Sequence, residues 1–422
     1  MAIDEEMTGI SLPGSGRPNK TETPADRYQE LKEVPERYSI IQLGVSLFHW
    51  IPEDEDEDGE VRNNDQEDED RKQWRVRRYN FYMFPDRDSE RDVTLSPGAV
   101  AFLNQYNMSF NKWIKEGIPF CTTEEANKIL QKYVEKQIKE DEKAEETPTQ
   151  PTVEAASRRV ELRRHEDIEF FSRCMASLRE WLDGPTPPQN PAVEGVCFLL
   201  PSCNSFMRRA FYEAIQQEYP SLVLENAGPD HPNQIRVWRL DEDERKRREE
   251  RLRREAWENV VVNKIGIWRV FMALSYACRG IAADRRSAAY APSIDNIDWN
   301  LPPNSFMTPM ESRKVPIVVH NGFMDIAFLM SHFVQNKLPP SLRECKELIG
   351  AHFPIVYDTK LVATECSPIQ HNENTTLGSM YDRIAYLEGL INRIELVVTS
   401  VDAPPDQEHE AAYDAHMTGV CK

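Results

Sequence analysis

The segment at 314–333, KVPIVVHNGFMDIAFLMSHF, holds a short and wholly apolar run followed closely by a longer apolar stretch. The run at 316–319 is typical of a strand that is buried on both faces, because such strands show no alternation of polar and apolar residues. The stretch after the HNG turn is long enough for a helix that packs on this strand. This order predicts an α/β unit, and therefore a sheet covered by helices.

Two further strands are predicted at 39–49, SIIQLGVSLFH, and at 74–84, WRVRRYNFYMF, because both segments are rich in β-branched and aromatic residues. The residues between them, 53–70, include 12 acids and one arginine. A block of like charges cannot bury enough apolar surface to fold. We therefore expect a disordered acidic loop that joins two adjacent antiparallel strands.

The rest of the chain divides at a stretch rich in proline and threonine, 146–158. Amphipathic helices are predicted at 165–184 and 200–220, short strands at 222–226 and 234–240, and a helix starting at Thr122 or Thr123. A further helix is predicted over 241–280, charged at first and apolar towards Ala277. The expected domains are a first part at 1–150, a small α+β insert at 158–243 and a second part at 244–422.

The formal charge of −20 is concentrated in one place, since residues 53–70 account for −11 of it. The folded parts are therefore not excluded from binding nucleic acid. The eight cysteines form no C-x-x-C pairs, which argues against a zinc site or a disulfide framework and indicates a reducing compartment. No apolar run approaches the ~20 residues of a membrane span, so neither a span nor a signal peptide is expected.

The chain begins MAIDEEMTGI, a predicted strand in which Asp4 and Glu6 are two residues apart. Alternate residues of a strand share one face, so these carboxylates point the same way and Glu5 points the opposite way. Their repulsion is tolerated at a solvated terminus, or it is used to hold a divalent cation. A D-x-E triplet alone does not decide between these interpretations.

Two later segments carry further acids. Asp325 stands at the start of the helix predicted after 316–319, where it either caps that helix or joins a site at the carboxyl end of the strand. His409 and Asp414 are five residues apart in DQEHEAAYDAHMTG, a spacing that is also common on surface helices. The order of these acids along the chain is more informative than any one of them.

That order, a D-x-E strand, an Asp opening a helix and a late H-x4-D, resembles the DEDD superfamily of 3′-to-5′ exonucleases in its histidine-containing subgroup. Further segments narrow the resemblance to the poly(A)-specific ribonuclease, or deadenylase, family and its small-RNA-trimming relatives. They are AIDEEMTGI, RYQELK, YNFYMFP, FNKWIKEGIPF, DEDERKRRE, HNGFMD, LPPSLRECKELIGAHFPIVYDTKL and HEAAYDAHMTG. The resemblance implies a ribonuclease-H-like mixed sheet flanked by helices and interrupted by the small α+β insert.

The resemblance also implies the roles of the site residues. Asp4, Glu6, Asp325 and Asp414 would hold two Mg²⁺ ions, roughly 3.5–4 Å apart, with Mn²⁺ as a substitute. Hard cations of this kind take oxygen ligands. His409 would accept the proton of the attacking water. We expect it on a loop or first turn just before the helix that carries Asp414, because residues i and i+5 of one helix do not share a face.

Positions that bind substrate in the family correspond to Met7, Ile10, Asn321 and Lys360. Met7 replaces the phenylalanine usual there and is a softer surface for a base. Asp358 is expected to cap or orient the YDTKL turn.

The insert resembles the family's single-strand-binding module, with Arg208 and Arg209 as RNA contacts. Tyr212 or Glu213 stands where the module's histidine would be, and a structural or dimer-contact role is the alternative. The arginines and glutamates at 244–255 are interpreted as a solvated helix.

The expected function is therefore that of a Mg²⁺-dependent 3′-to-5′ exoribonuclease that degrades single-stranded poly(A) tails in mRNA decay and releases 5′-nucleotides. Two alternatives stay open: small-RNA 3′-end processing by the same chemistry, and a catalytically silent RNA-binding scaffold. A DNA exonuclease is disfavoured by the HNGFMD and FPIVYDTK context. The resemblance further implies a homodimer, a nuclear or cytoplasmic location, and family members that extend beyond both ends of this sequence.

Overall fold

The computed structural model describes residues 1–15, 22–51, 72–87, 89, 91–145, 162–184, 196–228, 230–307, 313–365, 374–386, 394–398 and 409–421. The expected acidic loop at 53–70 and the linker at 146–158 lie outside these residues. The chain forms two compact units, one of residues 1–138 and 257–422 and the other of residues 139–256. The domain boundaries inferred from the sequence stay predictions.

Nine strands are found in the described residues. They are β1 (Ala2–Met7), β2 (Ile40–Ile51), β3 (Lys72–Tyr82), β4 (Val196–Leu199), β5 (Val223–Asn226), β6 (Ile235–Arg239), β7 (Ile317–Val319), β8 (Val356–Asp358) and β9 (Ile394–Val398). Six of them form one sheet in the order β8-β7-β1-β2-β3-β9. The pairs β1–β2 and β2–β3 are antiparallel, whereas β1–β7, β7–β8 and β3–β9 are parallel. The predicted mixed sheet is confirmed.

The α-helices of the described chain are α1 (Pro24–Leu31), α2 (Val34–Arg37), α3 (Pro97–Gln105), α4 (Phe110–Glu116), α5 (Thr123–Glu145), α6 (His165–Asp183), α7 (Ser205–Glu218), α8 (Glu242–Asn263), α9 (Gly266–Arg279), α10 (Phe323–Leu329), α11 (Leu342–His352), α12 (Thr359–Glu365), α13 (Leu377–Tyr386) and α14 (Ala411–Val420). A π-helical turn, Met330–Val334, continues α10. None of these helices is by itself long and apolar enough to cross a membrane. The pair α8 and α9 meets that criterion only jointly, across a 66° bend.

Strand β2 is covered on both faces, which explains its nearly continuous apolar sequence. Ile41, at the register shift between β1 and β2, packs in a core cluster with Leu103 of α3 and Trp113 of α4. The Ser46 hydroxyl donates to the carbonyl of Ala412 in α14 at 3.4 Å. Both α14 and the α3–α4 segment therefore pack against this strand.

The unit of residues 139–256 contains a three-stranded sheet in the order β4-β6-β5, with α6 and α7. The apolar residues of both helices share a core with the sheet. The two strands predicted here are confirmed, but β4, with only four residues, VCFL, was not predicted, and the helix predicted from residue 200 starts later. That helix begins at Ser205, where the Asn204 side chain accepts the N–H of Met207.

The single helix predicted over 241–280 is wrong, since the chain forms α8 and α9 with a break at 264–265. Gly266 opens α9 beside Ile118, and an added Cβ would lie 2.9 Å from the Ile118 Cγ2. The apolar second half therefore packs into the core as a separate helix.

Candidate active site

Strand β1 presents Asp4 and Glu6 on the face of the sheet that α14 covers. Asp4 lies opposite Gly44 and Glu6 opposite Gln42 of β2. Glu5, opposite Leu43, lies on the other face. The pairing therefore gives Asp4 and Glu6 the shared direction expected from their spacing.

Helix α14 brings His409 and Asp414 to these acids. The Nδ1 atom of His409 lies 4.0 Å from Glu6 Oε1 and 4.0 Å from Asp414 Oδ2. His409 directly precedes the helix, and Asp414 lies in its first turn. Asp414 is only 8% exposed. Both residues are therefore located as expected from their five-residue spacing.

The close approach of α14 to the sheet requires a glycine in β2. A Cβ atom at Gly44 would lie 1.9 Å from the carbonyl oxygen of Ala411, which is backbone and cannot rotate away. The N–H of Ala411 donates to Gln42 Oε1 at 3.4 Å, and the Glu410 side chain accepts a hydrogen bond from Asn80 of β3. These contacts fix the start of α14, and hence His409, against β2 and β3.

Asp325 lies in the first turn of α10, after a loop that Asp358 organises. The carboxylate of Asp358 accepts the N–H groups of Asn321 at 3.0 Å and Gly322 at 3.1 Å. It also accepts the N–H of Lys360 at 3.0 Å. Asn321 needs this support, because its φ of 55° is in the left-handed region. The prediction that Asp358 caps and orients this turn is confirmed.

The carboxylates of Asp4, Glu6, Asp325 and Asp414 repel one another in the folded chain. Burial raises the pKa of Asp4 well above its ordinary value, and the charges of Asp325 and Asp414 raise it further. The pKa of Glu6 is raised by burial and then by the same two carboxylates. The pKa of Asp325 rises to about 7, because burial outweighs its hydrogen bonds from backbone N–H groups. Four carboxylates therefore act on one another.

Such a donor set fits a hard divalent cation. Glu6, His409 and Asp414 each offer a ligand atom, and these atoms all lie within 4.8 Å of one another. Asp4 and Asp325 act on this group through their charges. Carboxylate oxygens are the ligands that Mg²⁺ and Mn²⁺ prefer. The four carboxylates could therefore bind a cation whose charge relieves their repulsion.

Glu5 was not recognised from the sequence as part of this region. It is 6% exposed, and neither of its carboxylate oxygens has a hydrogen-bond partner among the described residues. Its pKa is raised by burial, and then by Asp325 and Asp4. A buried acid of this kind favours its protonated, uncharged form. Its position in the acidic triplet was the only available signal.

The imidazole of His409 lies against the rings of Phe102 in α3 and of Tyr106, the residue that follows α3. Its ring centroid is 4.6 Å from that of Phe102 and 4.1 Å from that of Tyr106. Sequence reasoning missed this contact. No helix was predicted here; the four-residue separation of Phe102 and Tyr106 would give them a shared face on a helix, but does not indicate what that face contacts.

The four expected substrate-binding residues have different environments. Met7 ends β1 after a register shift and is 8% exposed, whereas Ile10 is 63% exposed. Asn321 and Lys360 belong to the two segments that Asp358 holds together. Their roles stay predictions.

In the insert, Arg209 is paired with Glu213 at 2.9 Å, and Arg208 is half-buried. The arginines of α8 were interpreted as solvated, which is wrong for two of them. Arg248 pairs with Glu225 and lies over the Trp238 ring, and Arg245 donates to the carbonyl of Ser221. These contacts attach α8 to the small sheet.

Comparison with known proteins agrees with this geometry. The chain matches the CAF1 family ribonuclease family over residues 1–421. It is 23% identical to poly(A)-specific ribonuclease PARN of Xenopus laevis, over 100% of this chain and 58% of that protein. Human PARN is 24% identical, over 100% of this chain and 57% of the relative. Human poly(A)-specific ribonuclease PNLDC1 is 24% identical, over 99% of this chain and 66% of the relative.

This chain thus spans less than two thirds of the length of each of these relatives. The family match, by contrast, extends over almost the entire sequence. The resemblance seen in the sequence is confirmed, and the chain belongs to the CAF1 ribonuclease family.

Proposed function

We propose that this chain is a divalent-metal-dependent 3′-to-5′ exoribonuclease that removes nucleotides from single-stranded poly(A) ends. The observation that carries the proposal is the close grouping of Glu6, His409 and Asp414, with Asp4 and Asp325 acting on it by charge. Family membership supports ribonuclease chemistry, and the names of the relatives describe poly(A)-specific enzymes.

The acids would bind two Mg²⁺ ions, or Mn²⁺ in their place. When bound, such ions act as Lewis acids and neutralise the charge that develops on the phosphate. Asp4, Glu6, Asp325 and Asp414 would supply the oxygen ligands. Their mutual repulsion in the protein alone means that binding a cation removes an electrostatic cost.

His409 would be the general base. Its Nδ1 faces Glu6 and Asp414 at 4.0 Å, so a water held among these groups would be within reach of the imidazole. Proton acceptance at this nitrogen would make the water nucleophilic towards the terminal phosphodiester. The partial exposure of the His409 side chain, 33%, would let the proton leave to solvent afterwards.

Substrate binding would fall to Met7, Ile10, Asn321 and Lys360. Ile10 is exposed and apolar, which suits contact with a base. Lys360 carries a positive charge that suits a phosphate. Because Asp358 orders both the Asn321 and the Lys360 segments, these two residues would act from one preformed surface.

The test is degradation of a 5′-labelled oligo(A) in the presence of Mg²⁺, next to oligo(U) and an RNA of mixed sequence. We expect a ladder that shortens from the 3′ end, proceeds fastest on oligo(A), and disappears with Asp4→Asn. Asp230→Asn is a matched control, since Asp230 is an exposed acid in the insert. Equal rates on all three RNAs would favour a general trimmer of RNA ends. RNA binding with no cleavage by the wild type would contradict the proposal and favour a scaffold.

A further inference from the structure

The backbone of His409 has a conformation that its surroundings must maintain. Its φ is 61°, in the left-handed region that residues with a Cβ atom rarely adopt. Such a conformation costs about 1–3 kcal/mol and persists only where neighbouring contacts determine it. The carbonyl of Glu410 accepts the N–H groups of Tyr413 at 2.8 Å and Asp414 at 3.0 Å. With the bond from Asn80 to the Glu410 side chain, these contacts fix Glu410, the residue that follows His409.

Fixing the backbone does not fix the orientation of the imidazole, because the side chain can still rotate. The carboxylate oxygens of Glu6 and Asp414 lie 4.0 Å from its Nδ1. The rings of Phe102 and Tyr106 are in direct contact with the imidazole, Phe102 edge-on and Tyr106 tilted. These two rings also contact each other, with centroids 4.9 Å apart. Together they limit the space into which the imidazole could turn.

Helix α3, which contains Phe102 and ends just before Tyr106, is connected by a hydrogen bond to the segment that follows the acidic strand. Ser96, the residue before α3, donates its N–H to the carbonyl of Thr8 at 2.8 Å. Thr8 directly follows β1, the strand of Asp4 and Glu6. Leu103, between the two aromatic residues, is 1% exposed and belongs to the core cluster with Ile41 and Trp113. Phe102 and Tyr106 are therefore held in a defined position relative to the acidic strand.

We propose that Tyr106, supported by Phe102, is a positioning residue that holds the His409 imidazole in the orientation required of a general base. This inference rests on the proposed function, since it assumes that His409 accepts a proton. Tyr106 would act on the rate of the chemical step through His409, and not through contact with RNA.

The test compares Tyr106→Leu with Tyr106→Phe in the Mg²⁺-dependent degradation of oligo(A). Because a misplacement of about 1 Å can cost about 10²-fold, we expect Tyr106→Leu to lower kcat by about 10- to 100-fold with KM within about twofold. Tyr106→Phe keeps the ring and is expected to retain the wild-type rate. Tyr79→Leu is the matched control, since Tyr79 is an exposed tyrosine stacked on Phe81 in β3.

A double mutant separates positioning from a direct role. In a His409→Asn background, Tyr106→Leu is expected to have no further effect on kcat, because the group that it positions is absent. An equal loss in both backgrounds would overturn the proposal, as would a raised KM with unchanged kcat. Loss of activity in Tyr106→Phe would also overturn it, because the hydroxyl and not the ring would then be required.

A structural measurement keeps this proposal separate from the proposed function. In protein with labelled histidine, the His409 signal, identified by its absence in His409→Asn, is expected to carry a ring-current shift that Tyr106→Leu reduces. If wild-type protein degrades no RNA but shows this shift, the ring contact exists and only the catalytic role fails. An unchanged shift in Tyr106→Leu would overturn the positioning itself.

Discussion

Carboxylates in the two units of this protein have opposite electrostatic environments. Glu225 of the insert is paired with Arg236 at 3.5 Å and with Arg248, and it accepts the indole N–H of Trp238 at 2.7 Å. Asp4 and Glu6 lie beside other carboxylates, and burial, followed by these neighbouring charges, raises the pKa values of both. The same chemical group therefore stabilises the fold where cations balance it. Where carboxylates lie beside one another, as at Asp4 and Glu6, they form a candidate site for a metal ion.

The largest expected effect is on activity. Asp4→Asn is expected to lower the rate on oligo(A) by more than about 100-fold, because even groups that only support a metal ligand contribute about 10- to 100-fold. Glu225→Gln, at the balanced carboxylate, is expected to leave kcat within about twofold of the wild type. Steady-state degradation assays at saturating Mg²⁺ would measure both. A comparable loss of rate in the two variants would remove the distinction between the two environments.

The second effect is stabilisation by the cation. Mg²⁺ at about 100 times its dissociation constant is expected to add about 2.7 kcal/mol to the free energy of unfolding, since it binds only the folded site. Glu225→Gln is expected to keep this gain and Asp4→Asn to lose most of it. Thermal unfolding in chelator and in Mg²⁺ would measure the difference. A Mg²⁺ gain in Asp4→Asn equal to that of the wild type would place the cation elsewhere.

The third effect concerns stability without metal. Glu225→Gln is expected to lower the free energy of unfolding by about 1–3 kcal/mol, because it weakens charged hydrogen bonds with two arginines. Asp4→Asn is expected to cause no loss in chelator, since it removes a charge that other acids repel. Denaturant titrations of the two variants would compare them. If Asp4→Asn lowered the free energy of unfolding as much as Glu225→Gln does, the acids of β1 would have to be stabilised by opposite charges.

The smallest effect is on pH dependence. The folded pKa of Asp325, about 7, is above its unfolded value, so the folded state binds the proton more tightly. Protonation of Asp325 should therefore add about 1 kcal/mol or less to the stability of the metal-free protein as the pH falls from 8 to 6.5. Asp325→Asn should lack this part of the gain. The window ends at 6.5, because the buried His332 and His352, with pKa values of about 3 and 4, destabilise the fold at lower pH.

Unfolding measured in chelator at pH 8 and at pH 6.5 would check this. A pH dependence that is identical in the wild type and in Asp325→Asn would contradict the electrostatic description of the site.

Much of the site could be predicted because it depends on local geometry. The alternation of a strand puts Asp4 and Glu6 on one face, and the five-residue spacing of His409 and Asp414 puts the histidine before the helix. The cap made by Asp358 also follows from its place in a turn. In each case the predicted feature involves residues only a few positions apart in the chain, whereas the meeting of these segments was expected only from the family resemblance.

The missed features depend on contacts between distant segments. Tyr106 contacts His409, which lies about 300 residues later in the sequence, and the periodicity of neither segment indicates this contact. Arg248 pairs with Glu225 in the same way, although its own sequence resembles a solvated helix. Strand β9 was missed although it pairs in parallel with β3, because its five residues, IELVV, carry no turn signal at their start.

Gly44 has a consequence for how this protein tolerates mutation. Every amino acid that could replace it adds a Cβ atom, which would lie 1.9 Å from a backbone oxygen of α14. In a saturation mutational scan, position 44 should therefore reject all substitutions in assays of both abundance and activity. Position 4 should reject them in the activity assay alone. Gly44 would thus be as intolerant of substitution as the acids in an activity screen. Only the abundance data would show that it is required because a side chain does not fit at this position.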